Sequence, residues 1–205
     1  IGDYYKGTAW AKNGKSIGLV ISGKFQALEG VEKIWDFLSQ DITYAKKNDK
    51  IGFIDLKGNW VIEPKFDKAR AFVNNLAPVQ VGKKWGYCNT KGELVIEPNY
   101  NDAEIFSKDG LAPVKDEKWG FINTLGEWAI QPEYDLVSAF NSGYALVKKG
   151  DLWTYIDGSG KVLETPVPDK YYDFTDGAAL FKKGEKIGLL GTDGKLILEP
   201  TYDEI

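Results

Sequence analysis

Four segments of the sequence set a carboxyl group or its amide on either side of a proline and an aromatic: Glu63-Pro64-Lys65-Phe66-Asp67, Glu97-Pro98-Asn99-Tyr100-Asn101, Gln131-Pro132-Glu133-Tyr134-Asp135 and Glu199-Pro200-Thr201-Tyr202-Asp203. Two carboxyls flanking an aromatic could serve as the acid and base of glycoside hydrolysis. Gln131 has no proton to give, however, and an active site is rarely copied into every unit of a chain. A structural corner explains the pattern with less: proline ends a strand, the aromatic packs, and the acid caps the turn. Glu63, Glu97 and Glu199 are kept as candidates for contact with a partner, because repetition is expected to set such acids on one rim.

Other reactive types are scarce. The chain has one cysteine and no histidine, which excludes an internal disulfide and any zinc site built from those ligands. Cys88 aligns with Ile54, Ile122, Ile156 and Leu190, so a buried thiol is expected there, with no histidine to activate it. Asp55, Asn89, Asn123 and Asp157 stand just before turn glycines and read as turn caps; Asp157-Gly-Ser-Gly lacks the acidic spacing of a calcium loop. No unit combines a nucleophile, a base and an orienting group. Neither an enzyme nor a bound metal or cofactor is expected.

The aromatics are the richer source of candidates. Trp85-Gly86, Trp119-Gly120 and Trp153-Thr154 share their position with Ile17-Gly18, Ile51-Gly52 and Ile187-Gly188, each pair 34 residues from the next. Isoleucine offers no stacking face, so packing is the shared role, and the glycine allows a neighbouring backbone or ring to come close. Trp60 and Trp128 align with Leu94, Val162 and Leu196 and read as core; Trp10 aligns with Pro78, Pro113, Leu146 and Leu180, a half-buried site. Trp35 has no matched column and ranks first for exposure. With Trp10, Tyr4, Tyr5, Tyr171 and Tyr172 it could stack on sugar rings.

The elements that must position these residues follow from the same period. Turn glycines (Gly58, Gly92, Gly126, Gly160, Gly194), prolines (Pro64, Pro98, Pro132, Pro166, Pro200) and aromatics (Phe72, Phe106, Phe140, Phe174, with Tyr4 and Phe37) keep step with it. The chain therefore holds six 34-residue units. Within one unit, extended pieces fall near 67–72, 76–81, 84–89 and 93–97, which makes an antiparallel meander. Consecutive apolar residues, as in Leu94-Val95-Ile96, need cover on both faces. An all-β fold of six β-meander repeats in one domain over 1–205 is expected: a six-bladed β-propeller, with an open β-repeat solenoid as the alternative. Residues 23–42 are divergent. Phe25, Leu28, Val31, Trp35 and Leu38 have helical spacing, but alignment on the next unit sets Phe37 opposite Phe106 and argues for a β unit.

With 26 basic against 30 acidic residues the net charge is −4, and the charges form no runs. That gives no footprint for nucleic acid or an anionic membrane, and no apolar run approaches the ~20 residues needed to cross a bilayer. The start at Ile1 and the absence of methionine and of a leader-like segment lead to the expectation of a soluble, processed or trimmed chain.

The segments KWGYCNTKGELVIEPNYNDAEIF and KWGFINTLGEWAIQPEYDLVSAF, with Gly-Leu-Ala-Pro-Val at 110–114, resemble the bacterial WG-repeat (KWG-repeat) family. The likeness covers 51–205 well and 1–50 weakly. It implies a β-rich repeat protein of the bacterial cell envelope or secreted, with an interaction role and no catalytic residues. Departures are Thr154 for glycine, isoleucine for tryptophan in three units, and loss of the Glu-Pro corner in 164–169. A non-catalytic binding or scaffold module for a protein partner is expected, with a lectin-like, glycan-binding domain as the alternative. Specific sites are expected where units differ, in 25–41 and 164–173, hence Trp35, Tyr171 and Tyr172.

Overall fold

The computed structural model describes residues 1–38 and 40–204. Every regular element among them is a β-strand, and the chain divides into two compact units, Ile1–Ile105 and Phe106–Ile205. The first unit opens with a meander of β1 (Thr8–Asn13), β2 (Ser16–Ile21) and β3 (Lys24–Ala27). A second sheet runs in chain order through β4 (Val31–Ile34), β5 (Ile42–Lys47), β6 (Lys50–Asp55) and β7 (Trp60–Phe66). The third holds β8 (Lys68–Ala69), β9 (Leu76–Val81), β10 (Lys84–Asn89) and β11 (Leu94–Tyr100), and β12 (Asp102–Ala103) ends the unit.

The second unit repeats the plan with β13 (Ala112–Lys115), β14 (Trp119–Ile122) and β15 (Trp128–Tyr134), then β16 (Leu136–Val137), β17 (Tyr144–Lys149) and β18 (Leu152–Asp157), then β19 (Ala178–Lys183), β20 (Lys186–Gly191) and β21 (Leu196–Tyr202). Sequence neighbours within each sheet pair antiparallel. The divergent stretch is β as well: its helical spacing falls across β3, β4 and the approach to β5. Phe37 fills the aromatic column there, 3 % exposed, whereas Tyr4, assigned to the same column, is 67 % exposed.

Both faces of the inner strands are covered, but the outer edge is not. In the run Leu94-Val95-Ile96 only Ile96 is buried, and the column of Trp60 and Trp128, expected as core, is half-buried at both tryptophans and exposed at Leu94 and Val162. Leu76 to Val79 and Ile51 to Ile54 are buried without interruption. The repeated phenylalanines hold each core: Phe72 lies 4.6 Å from Phe53, Phe140 4.9 Å from Phe121 and Phe174 4.9 Å from Tyr155, ring centre to ring centre. Such pairs add about 0.5–1.5 kcal/mol beyond the area they bury.

The proline column departs from expectation. Strands β7, β11, β15 and β21 continue through Pro64, Pro98, Pro132 and Pro200 instead of ending there. They can do so because each carries a bulge. Pairing jumps from Tyr87↔Ile96 to Trp85↔Tyr100, so Glu97, Pro98 and Asn99 lie opposite Gly86 alone, where the proline's missing N–H is not needed. The bulged backbone folds over the glycine: a Cβ on Gly86 would sit 2.8 Å from Pro98 N and closer still to Ile96 O. Gly52, Gly120 and Gly188 meet Pro64, Pro132 and Pro200 N at 2.7, 2.8 and 2.8 Å in the same way. Glycine and proline are two halves of one joint.

Candidate functional site

Acids at the strand ends act as clasps between successive sheets. Asp67 Oδ2 accepts from Gly82 N at 2.6 Å, on the next hairpin, and its Oδ1 from Lys50 Nζ at 2.5 Å, on the preceding one. Asp135 does the same with Gly150 N (2.8 Å) and the ammonium of Lys118, and Asp169 takes Gly184 N at 2.7 Å. These bonds hold the carboxyls of Asp67 and Asp135 below the usual range, the lysine contributing most and the glycine amide next. The lysine of the KWG motif and the acid of the corner are thus structural partners. The Asx column caps its turns as expected, Asn89 Oδ1 accepting from Lys91 N (2.9 Å) and Glu93 N (3.0 Å). Cys88 is buried, and burial pushes its thiol up to about 12.

A cleft of about 600 Å³ opens in the first unit between its second and third sheets. Trp35, Tyr44, Ile51 and Trp85 supply its apolar walls, and Lys46, Lys68, Arg70, Asp67 and Asp102 its charges. Trp35 stacks on Tyr44 with ring centres 4.5 Å apart, while Lys33 Nζ lies 4.4 Å from the indole centre. The guanidinium of Arg70 lies 4.7 Å over Trp85. It also donates to Asp102 Oδ1 (3.2 Å), to the carbonyl of Ala103 and to Glu104 Oε1 (3.0 Å). Burial nevertheless raises the Glu104 carboxyl above the usual range, outweighing the guanidinium. Asp67, held low, is poorly suited to deliver a proton.

The candidates from sequence fall in three places. Trp35 and Trp10 are both half-buried in the first unit, joined by Asp36: Trp10 Nε1 donates to Asp36 Oδ1 at 2.8 Å. Of the two, Trp35 lines the cleft. Tyr171 and Tyr172 are half-buried in the second unit, where Tyr171 tilts against Tyr155 and the Tyr172 ring carries Lys170 Nζ at 4.6 Å. Glu63, Glu97 and Glu199 are exposed, each on the bulge of its own outer strand. Tyr5 stacks on Phe37, while Tyr4 has no ring partner among the described residues. Tyr44, Trp85 and Arg70 were missed as site residues. Arg70 had a signal, being the only arginine in the sequence.

Solved structures with this arrangement of sheets are β-propellers. Hsv2 of Kluyveromyces marxianus superposes with a TM-score of 0.56 at 10 % identity, covering 93 % of this chain and 75 % of that one. A eukaryotic initiation factor gives 0.52 at 12 % identity over 97 % and 74 %, and Kluyveromyces lactis Hsv2p 0.52 at 12 % over 94 % and 81 %. At such identities the likeness shows the fold alone, an all-β repeat protein of the propeller class. No curated protein matches the sequence. The family model described as WG containing repeat matches residues 51–85, 85–118, 119–153, 153–186 and 187–205. The chain belongs to the WG-repeat family.

Proposed function

We propose that the chain is a non-catalytic binding or scaffold module, and that the cleft of the first unit takes a segment of a protein partner. One observation carries this reading: the cleft combines an apolar wall with charges of both signs, while its aromatic faces are already covered by Tyr44, Lys33 and Arg70. A polypeptide offers aliphatic side chains, charges and amides to such a surface; a sugar needs an open ring face. The glycan reading retains the open ring of Tyr4. No helix among the described residues is long and apolar enough to cross a membrane. Residence in the bacterial envelope or outside the cell follows from the family resemblance, and cell fractionation tests it.

The test is affinity capture with the wild type and with Arg70→Ala, run beside a glycan array. The expected result is one protein captured by the wild type and lost with Arg70→Ala, with no sugar bound. Sugar binding that disappears with Trp35→Ala makes the protein a lectin instead.

A further inference from the structure

Four hairpins close on the same turn, with glycine first: Gly14, Gly82, Gly150 and Gly184, at φ +61°, +65°, +60° and +60°. In three of them the glycine N–H is spent. Gly82 N donates to Asp67, Gly150 N to Asp135 and Gly184 N to Asp169, in the clasps between successive sheets. Gly14 N has no acceptor among the described residues. Gly14 is exposed, and a Cβ added to it would meet nothing within 4 Å, so its amide is uncrowded as well as unbonded.

The residue before the glycine differs too. It is Val81, Lys149 or Lys183 in the clasped turns and Asn13 in the open one, and Asn13-Gly14 is the only Asn-Gly pair in the sequence. Asn13 is exposed on the last rung of β1 and β2, opposite Ser16, and its carboxamide has no partner among the described residues. Lys12 and Lys15 flank the pair, both exposed, and positive charge nearby favours loss of the Gly14 amide proton.

We propose that Asn13 is a site of spontaneous covalent modification, at which the Gly14 amide converts the carboxamide to a carboxylate through a cyclic imide. Gly14 N gives its proton to solvent and attacks Cγ of Asn13. The N–Cγ bond forms, the Cγ–Nδ2 bond breaks, and Nδ2 takes a proton from solvent and leaves as ammonia. One water then opens the ring. Cleavage at Cγ leaves aspartate; cleavage at the main-chain carbonyl leaves isoaspartate, whose backbone runs through the side chain and is one carbon longer. The attack is intramolecular, and the end rung of a hairpin with glycine beyond it gives the backbone the freedom to reach it. In the sibling turns an aspartate opposes the first step, because it holds the N–H and its charge disfavours an amide anion beside it. Conversion adds a negative charge, and isoaspartate breaks the Asn13↔Ser16 rung, so the first sheet is loosened at that end. The proposal does not depend on the cleft of the first unit.

The test holds the folded full chain at mildly alkaline pH and follows each asparagine by peptide mass mapping, where conversion adds about one dalton and isoaspartate elutes apart from aspartate. Asn13 is expected to convert at least about tenfold faster than any other asparagine, and Asn13→Gln to abolish the new species. Val81→Asn sets the same pair over a clasped amide, since Gly82 N donates to Asp67. That site should convert at least about tenfold more slowly than Asn13, and adding Asp67→Ala should recover most of the difference. Urea unfolding checks that both variants are folded. Asn13 no faster than the other asparagines, a Val81→Asn site as fast as Asn13, or no acceleration on adding Asp67→Ala each overturn the proposal.

Discussion

The sheet β8–β11 and the sheet β16–β18 start from the same hairpin and finish differently. Both pair their central strands in one register, Gly86↔Val79 and Thr154↔Val147, and both anchor a tyrosine on a carbonyl 17 residues on: Tyr87 to Glu104 O at 2.7 Å and Tyr155 to Tyr172 O at 2.5 Å. In the first, an outer strand bulges over Gly86 and a lysine, Lys84, reaches Asn101 at 2.8 Å. In the second, the outer strand, the glycine and the lysine are absent together. Three departures from the repeat are thus one event: without an outer strand, bulged as over Gly86 or flat as over Gly18, no backbone presses on residue 154, and a side chain fits. The sheet β16–β18 buries its core with no bulged outer strand of its own, whereas β7 and β15 each add an isoleucine and an aromatic to theirs.

If the three departures are one event, transplanting threonine must be costly. Gly86→Thr should destabilise the protein by about 2–3 kcal/mol, because the bulge backbone cannot yield as a side chain can. Urea unfolding measures it, and a loss close to zero would break the link between glycine and bulge. Next come Tyr87→Phe and Tyr155→Phe, each expected to lose about 1 kcal/mol for one hydrogen bond to a backbone carbonyl. Equal losses in the two sheets would show that this anchor does not depend on the outer strand.

Acid should act next. The carboxyls of Asp67, Asp135 and Asp169 are depressed in the folded state, so their stabilisation is full above the ordinary carboxylate range and disappears as pH falls through the depressed values. Asp135→Asn should flatten the acid side of a stability-against-pH curve, and an unchanged curve would remove Asp135 from the clasp. The smallest effect belongs to Thr154→Gly, within about 0.5–1 kcal/mol of wild type, the backbone-entropy cost of glycine. Cys88, its thiol at about 12, should react with thiol reagents at mildly alkaline pH only as fast as the protein opens.

Comparison of the repeat with itself made most of this fold legible. A column that accepts cysteine, isoleucine and leucine must be core, and Cys88 is; a helical spacing in one unit is outvoted by five β siblings, and Phe37 lies where the alignment put it. The bulge was not legible, because columns report what a position tolerates and not how its backbone runs. Thr154 and the lost corner were both visible as departures, yet only the approach of Pro98 to Gly86 shows that they are linked. The cleft was half legible. Trp35 stood out as unmatched, but Trp85 is both core, at 6 % exposure, and wall, a double role that substitution by isoleucine conceals.

The aspartate clasps have a consequence for how the chain is made. Asp67 reaches back 17 residues to Lys50 and forward 15 to Gly82, and Asp135 spans the same distances to Lys118 and Gly150. Contacts of such short range close quickly, since little chain entropy is lost before they form. The sheets that carry a clasp can latch onto their predecessors as soon as their own hairpins have left the ribosome, so that order of synthesis favours the pairing of neighbours over that of similar repeats further along the chain.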